Sequence, residues 1–252
     1  MPDRDPAPDA GQFPSTCWSL VLAARGRAEP RAREALAALC RAYWYPLYAF
    51  IRRRGRAPDQ AEDLTQEFFT LFLREGFLDS VDRDRGKFRA FLLAACKHFL
   101  ANRRDRDHAL KRGGGLGPIP IDSRDAEGRY GREPAHEMTP ERLYDRGWAL
   151  TLLGRVLDRL AAEMEHAGKG PLFARLEPTL LGKRGAGTYS RAAEELGLSP
   201  GTVKVAAHRL RRRYRALLRA EIGRTVDDPA RVDDEIRDLF AALACRERPD
   251  LL

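Results

Sequence analysis

The sequence lacks the long apolar runs that a membrane-spanning helix needs. Its longest apolar stretches, such as residues 91–96, fall far short of the roughly 20 residues that cross a bilayer. The chain does not open with the basic, apolar and small-residue order of a signal peptide. We therefore expect a cytoplasmic protein that makes no contact with a membrane.

Cysteine and histidine are also scarce. The 252 residues include five histidines and four cysteines, which are Cys17, Cys40, Cys96 and Cys245. Neither residue type occurs at the spacing of a disulfide framework or a metal site, so we expect the cysteines to be small buried hydrophobic residues. A glycine-rich phosphate loop and a nucleophile elbow are missing as well. The sequence thus predicts no metal, no cofactor and no catalytic residue.

Basic charge is in excess. Lys and Arg number 45 against 37 Asp and Glu, which leaves a formal net charge of +8. Arginine dominates the basic residues, and its planar guanidinium suits bidentate contacts to phosphates and bases. Hydrophobic residues make up 43% of the chain, enough to build packed cores. Nucleic acid is therefore the leading partner class for a globular protein of this composition.

Helical periodicity predicts an all-α fold of two small domains joined by a flexible linker, with a further helix at the C-terminus. Glycine and proline crowd the segment between the two periodic regions, which marks it as the linker. Thr139 is the expected N-cap of the first helix after it, with Pro140 in the first helical position. The predicted boundaries are a disordered arm at 1–13, a domain at 14–106, the linker at 107–138, a domain at 139–225 and a helical extension at 226–252.

The most informative segment is SRAAEELGLSPGTVKVAAHRLRRRYRALLR, residues 190–219. A short helix with buried Ala192 and Ala193 leads to Gly197, which permits a tight turn. Leu198 is expected to plug the gap between the helices, and Ser199 to cap the second one. This order predicts a helix-turn-helix.

The second helix of this motif has two chemically different faces. At 100 degrees per residue, the apolar residues fall on one side: Val203, Ala206, Ala207, Leu210, Tyr214 and Leu217. His208, Arg209, Arg212 and Arg215 fall on or beside the opposite side, together with Val205. A major-groove recognition helix requires this division, and the alternative interpretation is a solvated, arginine-rich surface helix.

Two further runs in the first half extend the pattern to a family. APDQAEDLTQEFFTLFLRE at 57–75 and GKFRAFLLAACKHFLANRRDRD at 86–107 resemble region 2 of sigma-70 family factors of the extracytoplasmic-function type. The linker follows these runs, and after it comes a helix-turn-helix that resembles region 4 and ends in KVAAHRLRRRYRALLRAEI. The segments thus stand in the order that the family has. KHFLANRRDRDHALKRGGG and VDDEIRDLFAALA resemble the long factors of this type found in bacteria such as planctomycetes. Phe91 and Asn102 stand where tryptophan and aspartate are frequent.

The resemblance implies a promoter-specificity subunit of bacterial RNA polymerase, which is not itself an enzyme. It implies that core polymerase is bound, through the clamp coiled coil of its largest subunit, by Asp63, Gln66, Glu67 and Thr70. It implies contacts to the minus-ten promoter element from Lys87, Arg89, Lys97, His98, Asn102, Arg103, Arg104 and Arg106. It implies contacts to the minus-thirty-five element from Thr202, Lys204, Val205, His208, Arg209 and Arg212. Promoter DNA and core polymerase are the implied partners, and an anti-sigma factor or a kinase is a regulator that the resemblance leaves open.

Two other functions are compatible with parts of the sequence. A stand-alone helix-turn-helix regulator explains the second half of the sequence, but it assigns no role to the acidic residues around Asp63. A metal-dependent nuclease would use Asp59, Glu62, Asp63 and Glu67, yet no histidine or further carboxylate cluster completes such a site.

The C-terminal helix has an apolar stripe and an acidic flank. The stripe consists of Val232, Ile236, Leu239, Phe240 and Leu243. The stripe needs an apolar surface to pack on, and the acidic flank favours basic surroundings. We therefore expect this helix to dock near the second domain, on the side away from DNA.

Overall fold

Every regular element in the described part of the chain is helical. The computed structural model describes residues 30–72, 87–109, 126–133, 138–180, 187–226 and 228–244, and their side chains except those of residues 30–39 and 104–109. These ranges contain nine α-helices, one short 3-10 helix and no strand. The predicted all-α class is confirmed.

The nine α-helices are numbered here in chain order. They are α1 (Pro30–Arg53), α2 (Pro58–Phe72), α3 (Phe88–Ala109), α4 (Ala126–Gly131), α5 (Pro140–His166), α6 (Gly170–Leu180), α7 (Thr188–Leu196), α8 (Pro200–Gly223) and α9 (Val232–Leu243), with the 3-10 helix Pro229–Arg231 before α9. The predicted arm at 1–13 lies outside the described residues.

Side-chain caps start the two longest helices of the second half. The Thr139 hydroxyl accepts a hydrogen bond from the Arg142 backbone N–H at 3.3 Å, and Pro140 follows at the first helical position. The Ser199 hydroxyl likewise accepts a hydrogen bond from the Thr202 backbone N–H at 3.1 Å, and Pro200 follows at the first helical position. Each cap satisfies a backbone donor that the helix itself leaves unpaired. Both predicted caps are confirmed.

Helices α1 and α5 pack closely against each other. The sequence predicts a kink or restart at Pro46, but α1 continues through that residue as one helix. Gly147 of α5 lies against it, and a Cβ added there would lie 3.3 Å from the Pro46 Cα. The missing side chain lets the two backbones approach.

A continuous hydrophobic core runs through both halves of the described chain. Helix α5 is central, since it contacts α1, α6, α8 and α9. Its residues Leu143, Tyr144 and Leu160 are fully buried, as are Tyr48 of α1 and Phe68 of α2. The division into domains at 14–106 and 139–225 stays a prediction, and in this structure their helices share one core.

Helical periodicity predicts an apolar stripe of Ala61, Leu64, Phe68, Leu71 and Phe72 on α2, and the observed burial differs from it. Ala61, Phe68 and Phe72 are buried as expected, but Thr65 is also buried while Leu64 is half-exposed. The Thr65 hydroxyl donates to the Ala61 carbonyl at 2.6 Å. Because this bond satisfies the hydroxyl, a threonine can take a core position.

Helix α4 lies where the sequence predicts only a linker. The Glu127 carboxylate accepts hydrogen bonds from Arg52 Nε at 2.9 Å and Arg52 Nη2 at 2.6 Å, and from the Tyr48 hydroxyl. The Arg129 guanidinium lies 3.6 Å from the centroid of the Tyr45 ring. Part of the predicted linker is thus held against α1.

Candidate nucleic-acid interface

Helices α7 and α8 meet at a left-handed turn. Gly197 has φ 64° and ψ 30°, a conformation that glycine adopts without strain. The backbone N–H of Leu198 donates to the Ala193 carbonyl at 2.9 Å, which closes the end of α7. Together with the Ser199 cap, this geometry confirms the predicted helix-turn-helix.

Leu198 does not fill the gap between these helices. Its side chain is 40% exposed, so the prediction that it plugs the motif is wrong. The buried side chains at this position are Ala192, Ala193 and Val203, which are small enough for the two helices to meet without a leucine between them.

Helix α8 separates an apolar face from a polar one, as predicted. The buried residues are Val203, Ala207, Leu210, Leu217, Leu218 and Ile222, while Ala206 and Tyr214 are half-buried. All six residues that the resemblance assigns to the minus-thirty-five element are exposed. Val205 is 52% exposed and places an apolar contact among basic groups.

Other arginines of α8 make contacts within the protein. Arg213 makes two hydrogen bonds to Glu163 of α5, at 2.7 and 2.8 Å, and Arg211 donates to the Tyr189 hydroxyl of α7. Glu221, near the end of α8, pairs with Arg155 of α5 at 2.9 Å. These contacts orient α8 so that the face with Arg209 and Arg212 points away from α5.

The residues assigned to the minus-ten element lie in different surroundings. His98 and Asn102 are exposed. Lys97 pairs with Glu141 at 2.7 Å, and Arg103 pairs with Glu67. Lys87 and Arg89 are held by carboxylates of α9, and the side chains of Arg104 and Arg106 lie outside the described residues.

The edge assigned to core polymerase follows one side of α2. Asp63 is exposed, and Gln66, Glu67 and Thr70 are partly exposed. The Thr70 hydroxyl donates to the Gln66 carbonyl at 2.9 Å, and Glu67 accepts from Arg103 of α3. Asp63 is therefore the carboxylate most available to a partner among these four residues.

The described cysteines are buried, as predicted. Burial raises the pKa of the Cys40 thiol to about 12, and it raises that of Cys96 to about 12 as well. Thiols in this state are poor nucleophiles and poor metal ligands at neutral pH. Cys17 and Cys245 lie outside the described residues.

Among the described residues, no group of three or more His, Cys, Asp or Glu side chains is placed to hold a metal ion. In the same part of the chain, no helix combines the length and apolarity that crossing a membrane requires.

Helix α9 buries a residue that the apolar stripe did not include. Glu235 and Leu239 are fully buried and Val232 is buried, whereas Phe240 is 55% exposed. The predicted place of Phe240 in a buried stripe is therefore wrong. Glu235 stands three residues after Val232 and four before Leu239, on the same face. A carboxylate at such a position needs a buried cation, and this signal was present in the sequence.

Helix α9 docks on helices of the second predicted domain, as expected, and the side that faces DNA stays a prediction. It packs on α5 and α8, and Arg209 and Arg212 stay exposed. Its carboxylates, however, also reach Lys87 and Arg89 at the start of α3, a contact that the sequence did not predict.

No protein-family model, curated protein or solved structure matches the chain. Its function is therefore inferred from the residues and contacts described above.

Proposed function

We propose that this chain is a promoter-specificity subunit of bacterial RNA polymerase, of the extracytoplasmic-function sigma type. The observation that carries the proposal is the exposed face of α8, which bears Arg209 and Arg212 on a helix-turn-helix. The region 2-like sequence of α2 and α3 adds the polymerase-binding role. The chain itself carries out no catalysis in this proposal.

The α8 face has the chemistry of direct base readout. Arginine can bond both acceptors of a guanine edge, and an apolar side chain such as Val205 can contact a thymine methyl group. The major groove is about 12 Å wide and admits one helix, so the exposed side of α8 can enter it. Lys204 and His208, on the same side, can contact phosphates or base edges.

Two weak sequence-specific contacts with DNA are enough for promoter recognition when polymerase holds the protein. Once one promoter element is bound, the second contact forms at a high effective concentration. Core polymerase would be bound through the α2 edge around Asp63, while α3 contacts the minus-ten element and α8 the minus-thirty-five element. Specificity then arises from the sum of two short sequences.

The test of the DNA-reading face compares two adjacent arginines. We expect Arg212→Ala to reduce promoter-specific transcription by reconstituted polymerase, at a cost of roughly 1 to 3 kcal/mol if Arg212 contacts a base. Arg213→Ala is the matched control, because it removes the same charge from the same helix but loses a contact to Glu163. Equal effects of the two substitutions on a promoter library would contradict the proposal.

The polymerase contact is tested separately. Asp63→Lys should strongly weaken pull-down of core polymerase, because it reverses the charge at an exposed position of α2. Asp158→Lys, at an exposed position of α5, makes the same charge change elsewhere and should leave pull-down intact. Circular dichroism of both variants checks that the helices are retained.

A stand-alone regulator is the second candidate, because α6, α7 and α8 contact one another and supply a helix-turn-helix without α2 and α3. It predicts tight, sequence-specific binding to an operator by the free protein. Such binding, together with unchanged transcription by core polymerase, would favour this function over the sigma proposal.

A further inference from the structure

Carboxylates from two helices converge on the first two basic residues of the α3 segment. The Glu235 carboxylate of α9 lies 2.8 Å from Lys87 Nζ and 2.8 Å from Arg89 Nε. Asp238, one turn further along α9, lies 2.8 Å from Arg89 Nη2 and also pairs with Lys87. Asp145 of α5 pairs with the remaining Arg89 nitrogen. We call these five residues the α9 latch.

Arg89 is fixed by its surroundings on every side. Its side chain is 11% exposed, and its guanidinium lies 4.7 Å from the centroid of the Trp148 ring. The Tyr144 hydroxyl donates to its backbone carbonyl at 2.9 Å. Burial opposes its charge, but the bonds to Glu235 and the nearby carboxylates raise the pKa of Arg89 above its ordinary value. All of its guanidinium nitrogens are thus engaged within the protein.

The latch also neutralises the local positive charge. Lys87 and Arg89 face the carboxylates of Glu235, Asp238 and Asp145. Their attraction for phosphates is therefore weakened while α9 is docked, and it is stronger when α9 is away. Lys87 and Arg89 can contact DNA only after Glu235 and Asp238 have moved away.

Helix α9 buries fewer apolar side chains than α5 does. Val232 and Leu239 are its buried apolar side chains, while Ile236 and Leu243 are half-buried and Phe240 is exposed. A pocket lined by Arg142, Ala241 and Ala242 borders the Asp238 side of the latch. Because α9 is joined to α8 through a short segment with a 3-10 helix, it can leave this position while α1 to α8 keep their order.

We infer that α9 is an autoinhibitory element that occupies the minus-ten contacts of the free chain and leaves the minus-thirty-five contacts open. This inference rests on the proposed function, since that function gives Lys87 and Arg89 their DNA role. The face of α8 with Arg209 and Arg212 stays exposed in the same closed state. The apparent affinity of the α3 segment for DNA is then reduced by the small fraction of molecules in which α9 is open.

The closed contact is tested first in the free, full-length protein. A carbodiimide joins an amine to a carboxylate only when the two are in direct contact, and mass spectrometry identifies the linked peptides. We expect a cross-link from Lys87 to Asp238 or Glu235, which is lost when core polymerase and promoter DNA are added. Absence of this cross-link in the free protein would overturn the inference.

The inhibition is tested with two charge reversals on one helix. Asp238→Lys repels Lys87 and Arg89, whereas Asp234→Lys makes the same charge change at an exposed residue paired with Arg237 of α9 itself. We expect Asp238→Lys to bind a mixed-sequence single-stranded oligonucleotide several-fold more tightly than Asp234→Lys in fluorescence anisotropy. The added substitution Lys87→Gln should remove much of this gain. Equal affinities of the two lysine variants would contradict the inference.

The two proposals can fail independently. The cross-link needs neither a promoter nor polymerase, so its absence would leave the outcome of the Arg212→Ala test unaffected. Loss of promoter-specific transcription by the wild-type protein, with the cross-link present, would instead overturn the proposed function.

Discussion

At the scale of single residues, the buried carboxylate of Glu235 has the largest consequence. It is fully buried, and its partners Lys87 and Arg89 have exposed fractions of 24% and 11%. A charge removed from water is tolerated only when it is paired and hydrogen-bonded. Glu235 therefore couples α9 to the start of α3.

Replacing Glu235 should be costly. We expect Glu235→Ala to lower the free energy of unfolding by about 3 kcal/mol, because the substitution removes the fully buried one of the two carboxylates that Lys87 and Arg89 share. Asp234→Ala removes a carboxylate from the same helix but breaks only an exposed pair, so its effect should stay within about 1 kcal/mol. Urea denaturation followed by circular dichroism measures both values, and similar losses would contradict the assigned role of Glu235.

At the scale of helices, the crossing of α1 and α5 depends on a missing side chain. Gly147 approaches Pro46 and the Tyr45 ring, whereas nothing lies within 4 Å of a Cβ added at Gly154 of the same helix. Alanine raises helix stability by about 1 kcal/mol relative to glycine when it meets no obstacle. The two glycines thus offer a matched pair of sites.

We expect Gly154→Ala to stabilise the protein. Gly147→Ala should be less stable than Gly154→Ala by about 1 kcal/mol or more, because the added methyl group presses on the backbone of α1. Thermal unfolding of both variants gives the comparison. Equal gains in stability would show that α1 can move away from α5 at little cost.

The docking of α4 on α1 should depend on pH. The hydrogen bond from Arg52 lowers the pKa of Glu127, against an opposing effect of burial and with help from Tyr48. A carboxylate whose pKa is lowered on folding adds stability above its ordinary pKa, and this stability is lost as the pH falls through the lowered value.

Glu127→Gln should therefore be less stable than the wild type at neutral pH and equally stable in acid, well below the ordinary carboxyl pKa of 4.5. The difference should not exceed about 1 kcal/mol, because Glu127 is exposed to solvent, which screens the pair. Urea denaturation at both pH values measures it. A difference that persists in acid would assign the effect to packing instead of charge.

At the scale of the whole molecule, one core connects the helices of both sequence halves. Helix α5 belongs to the second half by sequence, yet it packs along α1 of the first half. We therefore expect the described helices to unfold as one cooperative unit.

We expect circular dichroism and tryptophan fluorescence to report the same urea transition, since Trp44 lies in α1, Trp148 lies in α5 and both are buried. Two separate transitions would instead favour the two domains that the sequence predicts.

Local features could be predicted because their causes span only a few residues. The caps at Thr139 and Ser199 and the turn at Gly197 each depend on groups within about one helical turn. The two faces of α8 follow from the helical period alone. For these reasons the sequence by itself determined the all-α class, the helix-turn-helix and the exposed DNA-reading candidates.

Long-range pairing was decided by the tertiary structure. Arg89 and Glu235 are 146 residues apart, and Arg52 and Glu127 are 75 apart. In a chain with 45 basic and 37 acidic side chains, periodicity shows which charges face outward but not which helix comes to lie beside them. The packing of α5 on α1 and of α9 on α5 places these partners together, and it decides that Lys87 and Arg89 face carboxylates.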